Sequence, residues 1–370
     1  MKIKDIAEKI EEIIPLKLAQ DWDNVGLLIG DSQKDVKNIL LTIDITCDVV
    51  AEAKKLKTDL IISYHPVIWD GLKKITAEGP TGVVYDLIRS GIAVFSIHTA
   101  LDSAAGGVND GLAEIVGIVD GKPIGDYVAS PASDNYKLVV FVPARSAAEV
   151  SNAVFAAGAG AIGNYSHCGF GAEGTGTFLP QKGAKPAIGK KGKLEKVEEI
   201  RFETIVPAAK LNDAIAAMIK AHPYETPAFD IFKLHDTGMP FGLGRIGELA
   251  KPVRVAQIIK RIKKVTGARA VGMVGNQNRL VRRAAVCAGS CGKIINSVIA
   301  AKADLYLTGE LKHHQALAAQ EAGLTCICLS HTVSERFILK KFAKQLQKKV
   351  KTVKISISKK DADPFKWKNI

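Results

Sequence analysis

The chain has 370 residues, of which 47% are apolar and 24% charged, with a formal charge of +13 at neutral pH. That length sets two or three domains as the expectation, and the balance suits a globular protein with substantial cores. No apolar run approaches the roughly 18 residues that a membrane span needs, and the start, Met1 to Ile6, opens an amphipathic helix rather than a signal peptide. A cytoplasmic protein is therefore expected, without membrane contact.

In chain order, Ile3, Ile6, Ile10, Ile13 and Ile14 share one stripe and predict a helix over 2–14. An acidic and aromatic loop, Asp21 to Gly30, follows. Strands are expected at 38–44, 60–63 and 92–97, with helices at 47–56, 81–90 and from about Val108. Short, fully apolar strands alternating with helices imply a mainly parallel sheet covered on both faces. The rhythm resumes after residue 253. Helices are expected at 255–265, from Lys293, at 314–322 and at 334–347, with strands at 269–274, 284–288, 304–307, 325–329 and 351–358. Between these halves, 126–245 reads as strand, helix, strand, strand, helix, strand, the ferredoxin-like split unit. The predicted fold class is α/β: two similar halves, 1–125 and 246–370, interrupted by an α+β insert at 126–245.

The excess positive charge gathers in two places, Lys182 to Lys196 and Lys340 to Lys368. Neither interleaves aromatics that could stack on bases, so nucleic acid is not an expected partner; a small anionic or nucleotide-like substrate is compatible with the charge. Of the six cysteines, Cys287 and Cys291 have the spacing of a ligand pair, but no second pair completes a structural zinc site.

Histidines follow four of the expected strand ends: His65 after 60–63, His98 after 92–97, His313 and His314 after 304–307, and His331 after 325–329. Asp102, Glu310 and Glu335 stand beside them. Ligands of open parallel sheets bind at the carboxyl ends of strands, and mixed imidazole and carboxylate donors suit a divalent ion with positions open to substrate. Such a centre makes water acidic enough for hydrolysis at neutral pH. For Thr332 and Glu335 a second reading stands, a capping box that ties down a helix start. No phosphate-loop, dinucleotide or nucleophile-elbow motif competes. In the insert, the turn His222 to Pro227 is either a rigid connection between two prolines or a contact reaching a cleft or a neighbouring subunit. The loop Gly158 to Gly176, which includes Asn164, lacks phosphate-loop spacing.

Taken together, Asp21-Trp22-Asp23-Asn24-Val25-Gly26-Leu27, Ser63-Tyr64-His65-Pro66, His98-Thr99-Ala100-Leu101-Asp102 with Gly106-Gly107-Val108-Asn109, Thr308-Gly309-Glu310 with His313-His314, and His331-x-x-x-Glu335 resemble the Nif-three-like family of dinuclear-metal proteins, often labelled GTP cyclohydrolase I type 2 homologues. The resemblance covers nearly the whole chain, and the insert is similar to PII and CutA-like modules. It implies that His65, Asp102, His331 and Glu335 hold one or two divalent ions (Zn, Mn, Fe or Co). It also implies that His98 lies close by and, with Glu310, moves protons, and that the chain assembles as a toroidal homohexamer. Tyr64 stands where many bacterial members carry a first histidine, which leaves it as a ligand, a holder of water or a packed side chain. The implied function is a metal-dependent hydrolase of the cyclohydrolase kind; the alternative is a non-catalytic metal protein for storage, delivery or regulation.

Overall fold

In a computed structural model of the protein, described for residues 1–128, 135–162, 165–234 and 241–365, the chain divides into two compact units. One comprises 1–129 with 240–370, and the other 130–239. The larger unit opens with α1 (Ile3–Glu11), β1 (Gly26–Ile29), β2 (Asn38–Thr42), α2 (Cys47–Lys55), β3 (Leu60–Ser63), α3 (Gly82–Arg89), β4 (Ala93–Ser96), α4 (His98–Ser103), α5 (Val108–Val116) and β5 (Ile118–Val128). The smaller unit contains β6 (Asn135–Pro143), α6 (Ala147–Ala156), β7 (Gly169–Phe178), β8 (Glu195–Pro207), α7 (Leu211–Ala221) and β9 (Phe229–Lys233). The larger unit resumes with β10 (Phe241–Arg254), α8 (Val255–Thr266), β11 (Gly272–Val274), β12 (Leu280–Cys287), α9 (Ile295–Ala300) and β13 (Leu305–Thr308). It ends with α10 (His313–Glu321), β14 (Thr325–Cys328), α11 (His331–Arg336), α12 (Ile338–Lys349) and β15 (Lys354–Ile357).

Local chemistry accounts for the element ends. Ile3, Ile6 and Ile10 form the buried stripe of α1, whose start is tied by the Lys2 amide donating to Asp5 Oδ2 at 2.9 Å. Helix α8 stops at Gly267, whose φ of +74° suits a residue without a Cβ.

The first sheet runs β1-β4-β3-β2-β15 and is parallel except for the β1–β4 pair. Its strands alternate their burial: Ile39, Leu41, Ile62 and Phe95 enter a core with α1 and α12, while Leu40, Ile61 and Val94 pack with α2 and α3. The second sheet runs β11-β14-β13-β12-β10-β5, and its parallel part is β12-β13-β14. Val286, Leu305, Leu307 and Ile327 of that sheet join the same core as Leu41 and Ile62 of the first. One continuous core therefore unites the two ends of the chain, and truncating a buried leucine such as Leu41 to alanine should cost about 2–5 kcal/mol.

The structure departs from the sequence expectation in four places. Strand β15, from the last residues, pairs with β2 in the first sheet, and β5, from the first half, pairs with β10 in the second. The halves exchange edge strands within one unit. Second, β5 and β10, which carry Gly121, Gly125, Gly242, Gly244 and Gly247, were not among the expected strands. Two of these glycines serve close strand approach: a Cβ at Gly244 would meet the Val286 carbonyl oxygen at 2.8 Å, and one at Gly247 the Ile118 side chain at 2.7 Å. Third, the expected boundaries at 126 and 245 fall inside these strands. Fourth, α11 starts at His331 rather than Ser334.

The smaller unit is a four-stranded sheet in the order β7-β8-β6-β9, antiparallel throughout, with α6 and α7 packed over Leu138, Val140, Val142 and Phe202. That order is the ferredoxin-like split βαβ arrangement. Asn164 and the end of the basic tail from residue 366 lie outside the described residues. Among the described residues, no helix is long and apolar enough to cross a membrane.

Candidate metal centre

Four strands of the larger unit, β3 and β4 from one sheet and β13 and β14 from the other, end in polar segments that build one site. Backbone hydrogen bonds carry the ladder past the strand ends: the His65 amide donates to the Ile43 carbonyl and the His98 amide to the Tyr64 carbonyl, each at 3.0 Å. Such bonds fix where the following side chains stand.

His65, His331 and Glu335 come together, with one donor atom from each lying within 4.8 Å of the others. His65 Nε2 is 3.7 Å from Glu335 Oε2, and His331 Nε2 is 3.3 Å from Glu335 Oε1. The opposite ring nitrogens are held elsewhere. His65 Nδ1 donates to Asp44 Oδ1 at 2.8 Å, and His331 Nδ1 to Glu310 Oε1 at 2.7 Å. A carboxylate on Nδ1 selects the tautomer whose Nε2 lone pair is free, as metal-ligating histidines require.

His98 repeats the pattern, with Nδ1 2.9 Å from Asp23 Oδ1, while Asp23 Oδ2 accepts from the amide and hydroxyl of Thr99. Burial opposes ionisation of Asp23, but the bonds from His98 and Thr99 outweigh it and hold the carboxyl below its ordinary range. Asp44 behaves likewise: burial is offset by the bond from His65, and its pKa is lowered. The His98 ring lies 5.1 Å from that of His65, 5.3 Å from Trp69 and 5.9 Å from Trp22, both tryptophans being more than half exposed.

Glu335 is the contrary case. Only 2% exposed, it has a buried Oε2 with no hydrogen-bond partner. Burial, with the carboxylates of Asp102 and Asp44 nearby, pushes its pKa well above the carboxylate range. Two imidazole nitrogens and a carboxyl oxygen without a partner converge here, and a divalent cation among them would take an electron pair from each. The backbone keeps that space open. Gly289 has a φ of +66°, and a Cβ there would meet Glu335 Oε1 at 2.7 Å and His331 Nε2 at 3.4 Å. The Gly289 amide is pinned by Ser334 Oγ at 2.9 Å. Ser330, directly before His331, holds a φ of +74° with ψ 157°, a region costly for any residue with a Cβ. The residues present therefore fit a metal ion.

Other expected residues fall differently. Tyr64 is fully buried and its hydroxyl donates to Asp102 Oδ1. Burial, together with the carboxylates of Asp102 and Glu335, raises its pKa and keeps it a neutral phenol. Asp102 is outside the three-residue group but electrostatically coupled to it: burial raises its pKa, against the lowering influence of His98, Tyr64 and His65. Glu310 orients His331. His313 and His314 are exposed at the start of α10, outside the group. The capping-box reading of Thr332 and Glu335 fails: Ser330 is the N-cap, no side chain caps the helix, and Thr332 Oγ1 has no partner. Among the described residues, Cys287 and Cys291 belong to no metal-type group, and all six cysteines are free thiols. Sequence reasoning assigned no role to Asp44, although it closes an apolar strand beside the histidine strand. Asp23 and Trp22 were read as part of an acidic, aromatic loop and of the resemblance, with no role of their own.

Known proteins similar to this chain include the GTP cyclohydrolase 1 type 2 homolog of Bacillus subtilis, 37% identical over 366 residues that cover 98% of this chain and 97% of that protein. That of Halalkalibacterium halodurans is 36% identical over 364 residues, 97% of each. A solved structure of a Bacillus cereus protein related to NIF3 is 38% identical, covers 99% of both chains and superposes with a TM-score of 0.79. The profile of the Duf34/NIF3 (NGG1p interacting factor 3) family matches residues 1–364, and the chain belongs to that family.

Proposed function

We propose that this protein is a metal-dependent hydrolase acting on a planar nitrogen heterocycle, in keeping with the cyclohydrolase-homologue name of its relatives. One observation carries the reading: a buried, unpartnered Glu335 oxygen facing two imidazoles whose far nitrogens are each held by a carboxylate. His65, Asp102, His331 and Glu335 would hold one or two divalent ions, of Zn, Mn, Fe or Co, with Tyr64 positioning Asp102. When bound, the metal would supply Lewis-acid chemistry and make water reactive at neutral pH. His98, restrained by Asp23, is the group placed to take or return a proton. Glu310 acts through His331 as a positioning residue. Trp22 and Trp69, exposed around His98, offer faces on which a flat ring stacks.

The test is turnover by metal-loaded protein on a panel of purine nucleotides, cyclic amides and phosphoesters, with metal content measured on the same samples. Hydrolysis that His98→Ala removes while the metal stays bound supports the proposal. Full metal loading without turnover on any substrate would replace it with a non-catalytic metal protein. The proposed assembly is the family's homohexamer, and sedimentation fitting fewer than six chains would remove that part.

A further inference from the structure

The smaller unit contains a cavity of about 470 Å³, a volume typical of small-molecule sites, and the proposed hydrolase chemistry makes no use of it. Its walls are largely apolar, formed by Phe141, Phe178, Leu179, Pro186 and Ile188, with Tyr224 on one side. Among the lining residues there is no lysine, arginine or histidine; the charged groups are Glu199 and Glu225. Glu225 Oε1 is engaged by the Lys185 amide at 2.8 Å. Glu199 is 8% exposed, and the hydrogen bond made to it comes from Tyr224 Oη at 2.9 Å, on Oε1. A carboxylate offers about four acceptor positions, and the Tyr224 hydroxyl takes one of them.

The surroundings hold that carboxylate in place. A Cβ at Gly176 would lie 2.1 Å from Glu199 Oε2, so β7 carries glycine where the carboxylate needs room. Tyr224 is set by His222, whose Nδ1 accepts from the Tyr224 amide at 3.1 Å while Nε2 donates to the Phe141 carbonyl at 3.0 Å. That pairing needs a neutral imidazole, and burial lowers the His222 pKa accordingly. The turn from His222 to Pro227 is thus a support for Tyr224 and Glu199 within its own unit.

We propose that this cavity is a binding site for a small planar molecule with an N–H-bearing edge, an amidine or amino-substituted heterocycle, which lays its ring against Phe178 and Tyr224, themselves in edge contact at 5.6 Å, and donates to Glu199. An anion is disfavoured there, because the lining supplies acidic groups and no basic one. A flat apolar body fits the walls, and N–H donors fit the acceptor positions that Tyr224 leaves on the Glu199 carboxylate.

Calorimetric titration of the full chain, with benzamidine and separately with adenosine to about 1 mM, tests this. We expect one-to-one binding of at least one probe, weakened roughly tenfold to a hundredfold by Glu199→Gln, the loss fitting a charge-assisted hydrogen bond. Ala187→Trp, which fills the cavity from an exposed loop, should abolish binding. Circular dichroism and metal content of both variants should match the unaltered chain. Binding of benzamidine alone assigns the site to cationic amidines, and binding of adenosine to aminoheterocycles. No heat with either probe, or binding that Glu199→Gln leaves unchanged, overturns the proposal.

Discussion

Each unit of this protein places a glutamate of low exposure at a candidate site, and the two differ in what surrounds the carboxylate. Around Glu335 stand two imidazoles turned so that lone pairs, not N–H groups, face the carboxylate. Around Glu199 stand a phenol and apolar walls. A ring of acceptors can be satisfied by a cation that takes electron pairs from all of them at once; a lone carboxylate in an apolar cavity can be satisfied by N–H donors. One kind of residue therefore marks two chemistries, and the neighbours' donor or acceptor character decides which.

The sharpest way to break this comparison is Glu335→Gln. Loss of the anionic ligand should reduce affinity for Zn or Mn more than a hundredfold by competitive chelator titration, exceeding the 10–100-fold typical of an outer partner. Retained affinity would mean that the carboxylate belongs to the fold and not to a metal. Gly289→Ala comes next. Its Cβ would press on Glu335 Oε1 and adopt a positive φ, so metal affinity and Tm should fall together, the strain alone costing about 1 kcal/mol. An unchanged Tm would show that the loop yields freely. Asp44→Asn leaves the ligands and frees the His65 ring. A 10–100-fold loss of metal affinity with an unaltered melting curve is expected, and unaltered affinity would make Asp44 incidental.

The smallest effect belongs to the other unit. His222 has a folded pKa below its unfolded value of about 6.5, so below that value the unfolded chain binds more protons and stability falls as pH drops. Hydrogen exchange of β6 and α7 amides, corrected for intrinsic rates, should show less protection at pH 5.5 than at 7.5. His222→Asn should flatten that difference. Equal protection in the unaltered chain at both values would place the imidazole in solvent.

Much of the larger unit was legible because its strands are short and apolar, so that β2, β3, β4, β13 and β14 announced themselves by composition. The ligand candidates were legible for the same reason: His65, His331 and Glu335 follow such strands. Less was visible where glycine serves close packing. Gly244 and Gly247 sit where a Cβ would meet a neighbouring strand, and no strand was expected over β5 or β10. The cavity of the smaller unit was invisible, since its walls come from β6, β7, β8 and a turn more than eighty residues from Phe141.

By itself the sequence determined the local alternation of elements, the split βαββαβ order of the insert and the residue types able to hold a metal, since periodicity and strand ends are properties of neighbouring residues. Only the tertiary structure decided which carboxylate restrains which imidazole: Asp44 with His65, Glu310 with His331, Asp23 with His98. It also decided that the final strand, β15, completes the sheet begun by β2. These are contacts between residues far apart in the chain, set by packing two sheets onto one core, and no local pattern encodes them.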